Sequence, residues 1–493
     1  MVSNDKFQFN LVLYSKDGRY YCLLISLILL LKAIFFFGAG PLPDEAYYWL
    51  WSKNPAFSYY DHPPLSTWLQ GLLSSFITNK QIQIRIIPLI CFLIIFFLNL
   101  QWMKLIGKDH TLDKIKSSLL FVSLPLYSIF LTVSFPDALL VLLIYLSGFY
   151  FYKFIQTSLQ EKIKYIYWYV SVLAFSLACI TKYNAIFFGL SIFIFLILKS
   201  DFRKFLLSRH FILGVFVFLL IQSPVILWNI ENEYASFNFN LNARLDFHFS
   251  VSNFFLNSTV FLLAVILAVS PVFFFGITNM KNIFVTDDLN KIFLDVCYVV
   301  LFCTLGFCFI LSIFTSVLYY WATTAFILFF PFLSSVITKK SHIIISSFYG
   351  FFIMLLLLIN TALFPVTTFW GKVDRETAIL YGWNNISTTI SHLKIENKVN
   401  QVVFTDYRLA SLYSFHSEDY FSDAIMENRE TQFDIWRKNK KSKEKTAIII
   451  SDKDFPIHKK ILEEYSKISY LKSINVYSRE KKIKTYKLYL GHS

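Results

Sequence analysis

Pro43-Asp44-Glu45-Ala46-Tyr47-Tyr48-Trp49, followed by Tyr59-Tyr60-Asp61-His62-Pro63-Pro64, comes directly after an apolar run from Tyr20 to Gly40. Carboxylates, a histidine and aromatics crowd the exit of a segment long enough to span a bilayer. Ionisable groups are costly inside hydrocarbon, so this stretch belongs at a water–lipid boundary and is the candidate catalytic loop. The rest of the chain is read outward from it.

The 493 residues are 56% hydrophobic, 19% aromatic and only 16% charged. A soluble chain of this size carries roughly 25% charge, so the composition points to a polytopic helical membrane protein. Tyr20–Gly40 is too long for a signal-peptide core and lacks a small-x-small cleavage site, which makes it the first span. Eleven spans are expected, at about 20–40, 83–103, 117–134, 136–153, 164–181, 184–200, 210–229, 253–278, 292–313, 317–338 and 342–363.

The net charge of +14 does not point to nucleic acid, because the basic residues collect in short loops. With the N-terminus inside, the inner loops hold Lys104, Lys108, Lys114, Lys116, Lys153, Lys162, Lys164, Lys199, Arg203, Lys204, Arg209, Lys281, Lys291, Lys339 and Lys340. The outer loops hold only Lys53, Lys80, Lys182 and Arg244. That bias predicts a cytoplasmic N-terminus, with the acidic loop and the tail outside. The six cysteines lie in apolar runs and read as small buried hydrophobes.

Residues 1–363 therefore form a membrane domain and 364–493 a small soluble α/β domain. The tail should carry a helix at Trp383–Leu393, strands at Gln401–Phe404 and Ala447–Ile450, a helix at Ile457–Tyr465 and a hairpin over Ile474–Leu490. Nothing in it has a catalytic spacing.

Asp44 and Glu45 are either loop charges or carboxylates serving as base or acceptor anchor. Asp61 or His62 is expected to cap a helix with Pro63 and Pro64 in its first turn. Leu65, Trp68, Leu69, Leu72 and Leu73 then make it an amphipathic interfacial helix, whose free N–H groups favour an anion. Asp137 complements a helix dipole. Lys182 is off-pattern for an outer loop and either snorkels or neutralises a lipid phosphate. Arg244 is a second phosphate candidate. A metal shared by Asp61, His62 and His248 is conceivable on so few ligands.

Together these pieces resemble the bacterial GT-C polyprenyl-phosphate-sugar glycosyltransferases, relatives of the dolichyl-phosphate-mannose-protein mannosyltransferases and of the lipid A aminoarabinose transferase. The resemblance rests on Asp44-Glu45-Ala46-Tyr47-Tyr48-Trp49, Tyr60-Asp61-His62-Pro63-Pro64-Leu65, Pro136-Asp137-Ala138, Thr181-Lys182-Tyr183-Asn184-Ala185 and Pro224–Asn229. In the tail, Thr431-Gln432-Phe433-Asp434-Ile435-Trp436 also looks familial. It implies inverting transfer of a sugar from a polyprenyl phosphate to an envelope acceptor at the periplasmic face of the inner membrane. Lipid A or the lipopolysaccharide core is the first acceptor expected. A protein acceptor, or a lipid-linked-sugar flippase in place of an enzyme, is the alternative. By the same resemblance Asp44 leads as catalytic carboxylate, with Glu45, Asp61 and Asp137 supporting. His62, Lys182 and Arg244 face the donor phosphate, and Tyr47, Tyr48 and Tyr60 line the cavity. The aminoarabinose enzymes carry Glu-Lys-Pro-Pro where this chain has Asp61-His62-Pro63-Pro64, so a histidine replaces a phosphate-binding lysine. No cofactor is required by this reading.

Overall fold

A computed structural model describes residues 15–243, 251–283, 287–439 and 445–493. The chain is mostly helical, with a five-stranded sheet near its C-terminus. Six helices are long and apolar enough to cross a membrane. They are α1 (Lys16–Gly38), α4 (Lys80–Leu105), α7 (Pro136–Leu159), α10 (Arg209–Glu231), α11 (Asp288–Ser312) and α12 (Lys340–Leu358, apolar through Leu363). Between them lie α2 (Pro43–Ser52), α3 (Leu65–Ser74), α5 (Thr111–Ser123), α6 (Pro125–Phe130), α8 (Tyr165–Cys179) and α9 (Ile186–Leu198).

Three further apolar stretches are bent pairs, which brings the spans among the described residues to at most nine, against the eleven expected. The reasons are local. Residues 117–134 do not form one span, because Pro125 holds Leu124 extended (φ −71°, ψ 114°) and splits α5 from α6. The run at 253–278 bends by 86° where Ser270 adopts φ 76° ahead of Pro271. The run at 317–338 is two 3-10 segments, Tyr319–Ala325 and Ile327–Phe332, the first separated from the continuation of the second by 57°. Residues 184–200 end at Leu198, where the chain turns by 109° into the segment ending at Leu207.

The tail holds α13 (Trp383–Glu396), α14 (Tyr407–Ser417), α15 (Gln432–Lys438) and α16 (Lys459–Glu464) around strands β1 (Gln401–Phe404), β2 (Asp423–Ala424), β3 (Thr446–Ser451), β4 (Lys467–Ser478) and β5 (Lys481–His492). The sheet order is β2-β1-β3-β5-β4. The first three strands are parallel, with Val403 opposite Ile449, and β3, β5 and β4 are antiparallel, with Ile449 opposite Tyr489. Val402, Phe404, Ile448 and Ile450 point into a core shared with the stretch that follows α1. Trp49, Trp51 and Tyr59 belong to that core, and α2 packs along α14. The acidic loop is thus the floor on which the tail sits.

Candidate active site

Helix α2 starts where the sequence places Pro43 at the first position and Asp44 and Glu45 in the first turn, an arrangement that suits both proline's fixed φ and the helix dipole. Adjacent helical positions point about 100° apart, so the two carboxylates diverge. Glu45 turns inward and is fully buried against Arg85 (Nη2–Oε2 2.9 Å, Nε–Oε1 3.1 Å). It also accepts the Leu42 and Ser134 N–H groups at 2.9 and 2.7 Å. Arg85 donates further to the carbonyls of Phe35, Ala39 and Gly40 at 2.9, 2.9 and 2.8 Å, covering the otherwise open end of α1. This pair therefore joins the exit of the first span, the acidic helix and the loop leading into α7. Sequence reading passed over Arg85; its signal was a lone arginine inside an apolar run.

Asp44 turns the other way, and its Oδ1 accepts the Tyr407 hydroxyl at 3.1 Å. Burial first, then the charge of Asp61, raises its pKa above the ordinary carboxylate value, while the Tyr407 bond, Arg408 and Arg429 pull it down. Asp61 accepts from the Tyr47 hydroxyl (3.1 Å) and from Arg429 Nη2 (2.6 Å). The Arg429 guanidinium lies 4.9 Å from the ring centres of both Tyr407 and Phe239. Gln432 donates its N–H to Tyr47 Oη (2.8 Å), and its side-chain oxygen accepts the Tyr60 N–H (2.9 Å). Tyr60 also packs on Phe239, with Trp228 and Ile435 beside it.

The tail, in which no catalytic spacing is legible, contributes residues to this region. Tyr407 bonds Asp44 and Arg429 bonds Asp61, while Gln432, in the stretch that looked familial, holds Tyr47 and Tyr60 beside them. Their spacing along the chain carries no chemical signature, because their partners lie far upstream in sequence.

The expected cap on α3 is also corrected. The helix begins at Leu65 with Pro64 as its N-cap and no side-chain cap, so the prolines precede it. Asp61 is engaged by Tyr47 and Arg429, and the Leu65 N–H donates to Ile180 O at 3.0 Å, so that N–H is not open to an anion. The helix does bury its polar side, Thr67 and Gln70, and exposes Leu72, as an interfacial helix would.

Lys182 reaches across to Asp137, with Nζ 2.8 and 2.7 Å from the two carboxylate oxygens, and lies 5.0 Å from the Tyr320 ring. Both partners are buried. The Tyr48 ring sits 5.8 Å from that of His62 and 6.2 Å from that of Phe135. Burial, then the charges of Asp44 and Asp61, push its phenol well above the usual range. Beside it opens a cavity of about 180 Å³. Its polar lining residues include His62, Lys182, Asn184 and Asn240, and its apolar ones Ile186, Phe187, Leu241, Phe307, Leu311 and Trp321. Asn240 donates to the Asp61 carbonyl at 3.3 Å, which ties this lining to the carboxylates.

The sequence candidates Asp44, Asp61, His62, Asp137, Lys182, Tyr47, Tyr48 and Tyr60 thus gather in one region, with Glu45 turned away into its ion pair. Arg244 and His248 lie outside the described residues. Among the described residues no group of three or more His, Cys, Asp or Glu side chains is placed to hold a metal.

Comparison with known proteins agrees with this architecture. Residues 61–228 match the model of the dolichyl-phosphate-mannose-protein mannosyltransferase family. The structure of ArnT from Cupriavidus metallidurans bound to undecaprenyl phosphate superposes with a TM-score of 0.61 at 13% identity, covering 96% of this chain and 98% of that one. The same protein in its apo state gives 0.59 at 12% identity, with the same coverage. No curated protein matches by sequence. The chain therefore has the GT-C type fold seen in the ArnT structures, and over residues 61–228 it matches the mannosyltransferase family's sequence pattern.

Proposed function

We propose that this protein is an inverting glycosyltransferase of a bacterial inner membrane, with its N-terminus cytoplasmic and its site and tail periplasmic. It takes a sugar from a polyprenyl-phosphate donor and places it on an envelope acceptor, lipid A or the lipopolysaccharide core. The observation that carries the reading is a cavity lined by both polar and apolar residues, with Lys182 held by the Asp137 carboxylate and Asn240 bonded to the Asp61 backbone. A prenyl chain suits the apolar part of the lining, and a phosphate suits His62 and Lys182.

In the reaction the acceptor oxygen bonds to the anomeric carbon from the face opposite the phosphate. The carbon–oxygen bond to phosphate breaks, and its electron pair leaves on the phosphate. Asp44 takes the proton of a hydroxyl acceptor, or orients an acceptor that is already anionic. Lys182 balances charge on the departing phosphate while Asp137 holds it in place. Glu45 and Arg85 position the turn that carries Asp44. The lipid-linked donor already carries a good leaving group, so the reading requires no metal.

Two tests follow. Lipid A from a strain lacking the gene should lose a sugar-mass species, regained with the wild-type gene; an unchanged profile would sink this acceptor and turn attention to protein glycans. Purified enzyme should transfer sugar from its donor in the presence of EDTA, which a flippase would not do at all.

Arg429→Ala removes a charge-assisted hydrogen bond, the kind worth roughly 1.5–3 kcal/mol, so turnover should drop about tenfold to a hundredfold. It also removes a positive charge that lowers the Asp44 pKa. The acid limb of the pH–rate profile should therefore move to higher pH, and Arg429→Lys should restore much of its position. A limb unmoved in both variants would reduce Arg429 to a packing role.

A further inference from the structure

Beyond the last span the chain forms a short strap. A 3-10 turn over Val366–Trp370 is closed by Gly371 in the left-handed region (φ 70°), and Lys372 follows. Phe369 and Trp370 are adjacent, 64% and 73% exposed, just past the end of a membrane helix. Aromatic pairs at that position belong to the water–lipid boundary.

The tip of the β4–β5 hairpin is fastened to this strap. The Arg479 guanidinium lies 3.4 Å from the Phe364 ring centre and 5.5 Å from that of Phe369, and Lys481 Nζ donates to Thr368 O at 3.0 Å. The turn residues Arg479 and Glu480 both have positive φ (48° and 64°), a conformation for which Asn-Gly would serve better. Charged side chains stand there against backbone preference, which marks the tip for a role outside folding. Lys372 follows this strap in the chain and Lys482 lines a groove with Val373, the next residue after Lys372, while the Asp374 carboxylate is turned to the N–H groups of Glu376 and Thr377 (3.2 and 3.0 Å).

We propose that strap and hairpin tip form a binding surface for anionic phospholipid headgroups. Phe369 and Trp370 enter the interface, and Lys372, Arg479, Lys481 and Lys482 receive the phosphates. Continuity with the last span places a lipid surface there, and the basic excess selects acidic headgroups. Because the same tail brings Tyr407 and Arg429 to Asp44 and Asp61, this contact is a second anchor holding it over the site.

The full-length protein with Trp370→p-benzoylphenylalanine, in nanodiscs of equal phosphatidylcholine and phosphatidylglycerol, tests this by photo-crosslinking and mass spectrometry. The expected product is a lipid adduct enriched in phosphatidylglycerol. Lys372→Glu with Lys482→Glu, at positions with no fastening contact to the strap, should lower that enrichment about thirtyfold, since each basic group near an acidic surface is worth roughly fivefold. Adducts only to protein, no adduct, or a lipid ratio that the charge reversal leaves alone would each overturn the proposal. The readout requires no transfer activity.

Discussion

Asp44→Asn yields a folded protein whose sugar transfer is down about a hundredfold to ten-thousandfold, the range spanned by a lost general base. The substitution is nearly isosteric, and an amide oxygen still accepts the Tyr407 hydroxyl, so the tail stays docked. What disappears is the negative charge facing the acceptor. The pH profile gives the sharper check. Burial and Asp61 hold Asp44 above the ordinary carboxylate value of about 3.9, and the reaction uses its ionised form. Wild-type activity is therefore complete above that raised value and is lost as pH falls through it. In Asp44→Asn the residual activity should lack this limb. Asp61→Asn makes a useful contrast, because it weakens the hold on Arg429 and should loosen the tail as well as slow turnover. Near-normal transfer by a folded Asp44→Asn enzyme would remove Asp44 from the chemistry.

Arg85→Ala should be the most destabilising single change in this region. Arg85 and Glu45 are both wholly buried, and removing one partner of such a pair costs about 3–5 kcal/mol because the other charge is left uncompensated. Here the loss extends further, since Phe35, Phe36, Ala39 and Gly40 also lose their donor at the end of α1. Glu45→Gln should cost less, because Arg85 keeps those carbonyls and the amide oxygen still accepts. A thermal-shift series in detergent, read beside monodispersity on gel filtration, checks the order: wild type, then Glu45→Gln, then Arg85→Ala as least stable. Equal melting temperatures for all three would mean the pair contributes nothing to holding α2 against α1.

Some of this was readable in one dimension. Apolar runs announce their own burial in lipid, so α1, α4, α7, α10 and α12 were located closely. Strands with unbroken Ile and Val, such as Ile448-Ile449-Ile450, likewise announce themselves, as did the β4–β5 hairpin, which turns at Arg479 and Glu480. The breaks were harder. Phe326 and Ser270 interrupt apolar runs through backbone conformation rather than polarity, which hydropathy does not register. Pro63 and Pro64 read as a first helical turn, but Pro64 is the N-cap just ahead of it (φ −89°, ψ −17°), a place that proline's fixed φ suits as well.

The sequence by itself determined which segments leave water and where the acidic stretch lies relative to the first span; that this stretch is a helix from Pro43 to Ser52 came only with the structure. The first two follow from partition and local sterics, which act within a few residues. Only the tertiary structure decided what those groups do. It turned Glu45 into the partner of Arg85, joined Lys182 to Asp137, and brought Arg429 onto Asp61 across 368 residues. An ion pair in a poorly solvated site depends on distance and on the surroundings of both charges, and neither is written in the spacing of the residues that make it.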